Sequence, residues 1–291
     1  MHSLVCDLSS AVVPGFDEAQ LERRVAGTPW ILSMYPVFAL LKILDESGAA
    51  LNPSREHAMA GAAQRGDRKL FLKAISSYQE DEDISLAMRQ SCHSVMFSGF
   101  ISELRSDFIL VLMQGLMFSY RGMAIGLRCA LEDLYRHLYY MDHPQEYYAL
   151  QSGESEYSMK LAPKDFRAYL TRVSYLKPIS ECTVDFTRKD KPEDGDWFGV
   201  NEALYRDLSA AVHGASDRWF SALFNAGSLK HNAEKESEIG SLIERFSRMC
   251  SAFLILAHRQ IFCSAGEYDK SIVFSVFDES QKHAFRRVMN I

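Results

Sequence analysis

Residues Asn201–Asp217 read N-E-A-L-Y-R-D-L-S-A-A-V-H-G-A-S-D, and a helix is the conformation that sorts this string into two sides. Offsets of three, four and seven residues are neighbours on a helix surface. Arg206, Ser209 and His213 then share a polar face, while Tyr205, Leu208 and Val212 form an apolar stripe directed at a core. Asn201 is a favoured N-cap and Gly214 a natural stop, which places His213 in the last turn. An arginine and a histidine on one wet face are side chains suited to a phosphate.

The same helical spacing continues outward. Ile84–Leu104 alternates at helical period, Phe108–Met117 is apolar all round as in a buried central helix, and Tyr120–Tyr140 carries the ridge Leu127, Leu131, Leu134 and Leu138. Asp142-His143-Pro144 ends that ridge, because the residue before proline avoids the helical region. Gln151–Ser158 reads as a polar linker, Pro163–Tyr175 as a shorter helix, and Lys177–Asp196 as a long mobile loop leading into the Asn201 helix. Ser216–Phe224 follows as a turn or short helix. Lys235–Phe262 is expected as one long helix with Ile239, Leu242, Phe246 and Phe253 inward. The tail offers a short strand at Ser271–Phe277 and a basic helix at Ser280–Met289.

Towards the N-terminus, Asp17-x-x-Gln20 is a capping box opening a helix that runs to Leu44, with a break at Gly27-Thr28-Pro29. Leu51–Ser54 begins a further helical stretch, divided at Arg65-Gly66-Asp67 before Lys69–Ser77. The acidic run Gln79–Asp83 is a solvated connection. The fold class that follows is all-α. It divides into an N-terminal helical region at 1–83 with a regulatory or partner-binding role, a bundle at 84–263, and a tail at 264–291 packing on the bundle.

Composition narrows the functions. The 291 residues carry a formal net charge of −6, with 47% hydrophobic and 24% charged residues, as in a folded soluble chain. No global basic field advertises nucleic acid, so any RNA contact is local. The N-terminus lacks the pattern of a signal peptide, and the longest apolar run, Phe108–Ser119, is too short to span a bilayer. Six cysteines are scattered singly without a C-x-x-C pair, which fits reduced thiols and a cytoplasmic location. The nine histidines form no H-x-x-x-H or H-E-x-x-H pattern and no Cys/His ligand cluster, so no metal is expected. Phosphate-loop, dinucleotide-fold and serine-hydrolase signatures are absent too, so no cofactor is expected.

The signal that remains is Arg206-Asp207 followed by His213, an instance of R-x(4–6)-H with an acidic residue after the arginine. A second instance, Arg136-His137 with His143, lies where a helix should be ending at Pro144. The first lies late in the chain and closes on His-Gly. With Y-R-D-L-S-A-A-V-H-G, and with L-R-C-A-L-E-D-L-Y upstream, the chain resembles the HEPN superfamily over Ile84–Phe262. That resemblance implies an antiparallel helical bundle that forms homodimers. In active members it implies metal-independent RNA cleavage within toxin or antiviral defence systems, with an antitoxin or regulatory partner. Other members bind without cleaving.

Cleavage by the RNA 2′-hydroxyl needs a base, an acid and positive charge on the phosphate. Two copies of His213 across a dimer interface would divide the proton transfers, with each Arg206 on the phosphate. Asp207 would orient a pocket side chain, and Ser209 would donate to phosphate. Arg128 and Glu132, one turn apart, form an intrahelical ion pair or else act beside Arg206 and His213. Tyr135, Tyr139, Tyr140, Tyr147 and Tyr148 offer base stacking or core packing. Two rival classes stay open: a catalytically silent binding module, and a structural or interaction protein with an exposed helical face, which predicts Arg206 and His213 buried in fixed salt bridges.

Overall fold

The computed structural model describes residues 28–50, 82–143, 146–147, 163–181, 197–213 and 230–289. Among them there are ten α-helices, one 3₁₀ turn at Ser174–Leu176, and no strand. The helices are α1 (Pro29–Ala50), α2 (Glu82–Leu116), α3 (Tyr120–Asp142), α4 (Pro163–Leu170), α5 (Lys177–Glu181) and α6 (Trp197–Val212). They continue with α7 (Ala233–Ala257), α8 (Arg259–Ser264), α9 (Glu267–Phe274) and α10 (Glu279–Met289). The capping box at Asp17, the stretches at Leu51, Arg65 and Lys69, the linker Gln151–Ser158, Gly214 and Ser216–Phe224 lie outside the described residues.

The contacts between helices give their directions. Gly115 of α2 lies beside Met123 of α3, Val111 beside Gly126, and Phe100 stacks on Tyr140, so α2 and α3 form an antiparallel hairpin. On α6, Ala211 meets Arg121 and Asn201 meets Tyr135, so α6 is antiparallel to α3 as well. Tyr120 accepts from the Asn232 amide while His137 meets His258, which sets α7 parallel to α3. Phe108 of α2, packed against Phe38 of α1 and Phe246 of α7, lies fully buried among them. The core is therefore a bundle of α1, α2, α3, α6 and α7, and the ridge Leu127, Leu131, Leu134 and Leu138 is fully buried in it. Trp30 of α1 fits beside Gly115 and Gly240, where a side chain on either glycine would meet its indole or Cβ.

The hairpin turn is closed by a Schellman arrangement. The Ser119 amide donates to the Gln114 carbonyl at 2.8 Å and the Phe118 amide to the Gly115 carbonyl at 3.0 Å. Phe118 occupies the left-handed position, φ 58°, that glycine usually takes there. α7 opens on Asn232, whose side chain accepts from the Lys235 amide at 2.9 Å, with Glu234 and Glu236 in the first turn.

Several expectations need correction. α2 begins at Glu82, inside the acidic run Gln79–Asp83 whose first three residues lie outside the described ones, and the stretch Phe108–Met117 is not buried all round: Leu110 and Met117 are exposed. The loop expected from Lys177 begins with a helical turn, α5, whose Ile179 is fully buried. α6 starts at Trp197, so Asn201 is no cap but an interior residue, its side chain taken by Tyr135. The long helix expected to Phe262 breaks at His258, where the backbone leaves helical angles and the ring is buried against His137 at 2.8 Å. Ser271–Phe277 is not a strand. Residues Glu267–Phe274 are helical, turning Val273 and Phe274 into the core.

Candidate functional site

The α3–α6 contact is held by Arg128, which projects from α3 and is buried. Its Nη2 donates to the Tyr205 hydroxyl at 2.5 Å and its Nε to Ser209 Oγ at 3.2 Å. Its Nη1 lies 2.6 Å from Glu132 Oε1, close but off the line of a straight hydrogen bond. The intrahelical Arg128–Glu132 pair expected from their spacing is therefore present, and it reaches across to α6 through two hydroxyls. The guanidinium carbon also sits 4.0 Å from the centre of the Tyr205 ring.

A second guanidinium completes the cluster. Arg167 of α4 lies 3.7 Å from the centre of the same ring and donates to Glu202 Oε1 at 2.7 Å. Two cations and two carboxylates, Glu132 and Glu202, thus surround Tyr205 and balance in charge. Neither Arg167 nor the platform role of Tyr205 was foreseen; in sequence, Tyr205 reads as one member of an apolar stripe.

Arg206 and His213 lie outside this cluster. Both are exposed, and among the described residues neither side chain has a hydrogen-bond or ion-pair partner. The buried salt bridges that the structural or interaction reading predicts for both are not found, although the exposed helical face it also names is present. The His213 amide still donates to the Ser209 carbonyl at 3.0 Å, continuing the helical pattern just past α6. The apolar stripe is only partly buried: Leu208 is in the core, Tyr205 is half-buried, and Val212 is exposed.

The other expected residues have definite places. Asp207 points to α7, where Arg245 Nη1 donates to its Oδ2 at 3.0 Å. Ser209 faces Arg128, so Ser209 and the Arg128–Glu132 pair come together beside the exposed face of α6, whereas Asp207 is drawn to its other side. The second motif is occupied: Arg136 binds Asp133 at 2.9 Å, while His143 stacks on Tyr139 at 4.0 Å and pairs with its carbonyl at 2.8 Å. The tyrosines are core residues. Tyr135, Tyr139 and Tyr140 are buried, and Tyr140 and Tyr147 pack on Phe100. Tyr148 lies outside the described residues.

No group of three or more His, Cys, Asp or Glu among the described residues is arranged to hold a metal ion. No helix among them is long and apolar enough to cross a membrane. Compared with protein-family models, with curated proteins and with solved structures, the chain gives no match. The HEPN resemblance rests on the residues alone.

Proposed function

We propose that the chain is a metal-independent endoribonuclease of HEPN type, a cytoplasmic toxin or antiviral effector acting as a homodimer, with an antitoxin-like or regulatory partner. The observation that carries this reading is the state of Arg206 and His213: exposed, unengaged among the described residues, and one helical turn on either side of Ser209, whose hydroxyl a buried arginine holds. Ser209 and Tyr205 both accept from Arg128. Each hydroxyl keeps its own proton to donate, as a phosphate oxygen requires. Arg206 would hold the phosphate, and His213 would move the proton of the 2′-hydroxyl or of the leaving 5′-oxygen. Seven residues separate them, about 10 Å along the axis. The second histidine that the acid–base division needs would come from the partner copy.

That last requirement also favours a second reading. Alone, this face offers one histidine and one arginine without a partner among the described residues, which suits recognition of a nucleotide, an RNA or a protein partner without cleavage.

The test is incubation of labelled RNA with the protein in EDTA beside Arg206→Ala and His213→Ala. Cleavage to 2′,3′-cyclic phosphate ends, lost in both variants, is the expected outcome. Both positions are exposed, so folding should change by no more than about 0.5 kcal/mol. RNA binding that survives His213→Ala, with no cleavage by the wild type, would favour the binding module.

A further inference from the structure

α2 and α3 approach closely where Gly126 meets Val111. A β-carbon on Gly126 would lie 2.7 Å from Val111 Cγ2 and 3.7 Å from the Asp107 carbonyl oxygen. The antiparallel register that pairs Val111 with Gly126 and Phe100 with Tyr140 brings Asp107 of α2 level with Asp133 of α3, so that the two carboxyls interact across the seam. Asp107 Oδ2 is shielded from water, and no N–H or O–H donor reaches it among the described residues. Asp133 is itself only 9% exposed. Its Oδ1 accepts from Arg136 Nη1 at 2.9 Å.

Ionised carboxylates only accept hydrogen bonds. Two of them facing each other in a close seam would have nothing to exchange but repulsion, whereas one shared proton converts the contact into a hydrogen bond. We propose that Asp107 and Asp133 form a proton-operated latch between α2 and α3, closed while one proton bridges the carboxyls and loosened once it leaves. The proposal is independent of the reading of Arg206 and His213.

The surroundings fit that behaviour. The charged groups acting on Asp107 are Asp133 and Arg136 from α3 and Glu103 from α2 itself, and the Cys129 thiol of α3 feels its charge. α1, packed on α2 through Phe38 and Phe108, supplies none of them. Arg136, the one cation acting on Asp107 among the described residues, already serves Asp133 and lies 3.9 Å from Glu132. Burial first, and then the Asp133 charge, push the Asp107 carboxyl up to about 7. Burial also raises Asp133, against the pull of Arg136. Because Arg136 touches the partner of Arg128 as well, the latch stands one ion pair away from the cluster that fixes α6.

The sign follows from linkage. The folded chain keeps a proton that the unfolded chain releases near the ordinary aspartate value of 3.8. The latch therefore stabilises the fold in acid, weakens as pH rises towards 7, and contributes nothing further above that. Melting temperatures of the full chain from about pH 5 to about pH 8.5 would be compared with those of Asp107→Asn, which donates permanently to Asp133. The variant should gain on the wild type as pH rises, and the gap should level off above neutrality. Asp133→Asn should move the wild-type decline towards acid. A gap that stays constant across the range would overturn the proposal. If the variants do not fold, infrared spectra of the wild type decide. A protonated carboxyl band at pH 6 that is lost by about pH 8.5 supports the latch, and its absence at pH 6 rejects it, since ordinary carboxyls are ionised there.

Discussion

Tyr135 of α3 donates its hydroxyl to the side-chain oxygen of Asn201 on α6 over 2.6 Å, and both residues are buried. The bond fixes how far α6 slides along α3, and with it the level at which Arg206 and His213 emerge. Tyr135→Phe would leave the Asn201 amide unpaired in the core at a cost of about 1–3 kcal/mol. Chemical denaturation should show that loss, and adding Asn201→Leu should recover part of it.

Glycines on one face of α3 should differ sharply. A β-carbon at Gly126 meets Val111 Cγ2, part of a stiff branched side chain in the helix seam, while one at Gly122 meets the movable ends of Gln114 and Ser119. Gly126→Ala should destabilise by about 1–3 kcal/mol. Gly122→Ala should be near neutral, because the gain in helix propensity, up to about 1 kcal/mol, offsets the adjustment. Thermal melts of the two variants side by side would check this.

Phe118 carries a left-handed backbone cost while its half-buried ring packs on the core and meets His231 edge-on, their centroids 5.8 Å apart. Replacing it with alanine removes the contact and keeps the strain, whereas glycine removes both. Phe118→Gly should therefore be more stable than Phe118→Ala by roughly 1 kcal/mol, read from urea midpoints.

Two arginine–carboxylate pairs of similar length should have unlike weights. Arg128→Ala removes the buried cation that Glu132, Ser209 and the Tyr205 hydroxyl share, leaving Glu132 the more distant Arg136, at roughly 3 kcal/mol. Arg245→Ala breaks a more exposed pair with Asp207 and should cost no more than about 1 kcal/mol. Equal losses in denaturant would contradict the assignment of Arg128 as the α3–α6 fastener.

Much of the bundle was legible because periodicity reports burial. The leucines of α3 and the inward set Ile239, Leu242, Phe246 and Phe253 of α7 are in the core as their spacing requires. Local rules failed where a distant partner decides. Asn201 has the chemistry of a cap, but Tyr135, 66 positions away, claims its side chain inside the helix. Ser271–Phe277 alternates weakly, as a strand would, yet a helix there buries the neighbours Val273 and Phe274 in one core. Around the candidate site, the four-residue spacing of Arg128 and Glu132 announced their ion pair. Nothing local to Arg167 announces that it packs on a tyrosine 38 positions later in the chain.

The seat of α1 bears on how the chain could be shortened. Trp30, Ile31, Met34, Val37, Leu40 and Leu41 are all buried, and the Trp30 indole nitrogen donates to Glu236 of α7. A protein beginning at α2 would present the bare faces of Gly115, Phe108 and Gly240 to water, a sticky trough along its length. Activity tests on such a truncated chain would report on an aggregate. The residues ahead of α2 belong in every preparation on which a negative result is to be believed.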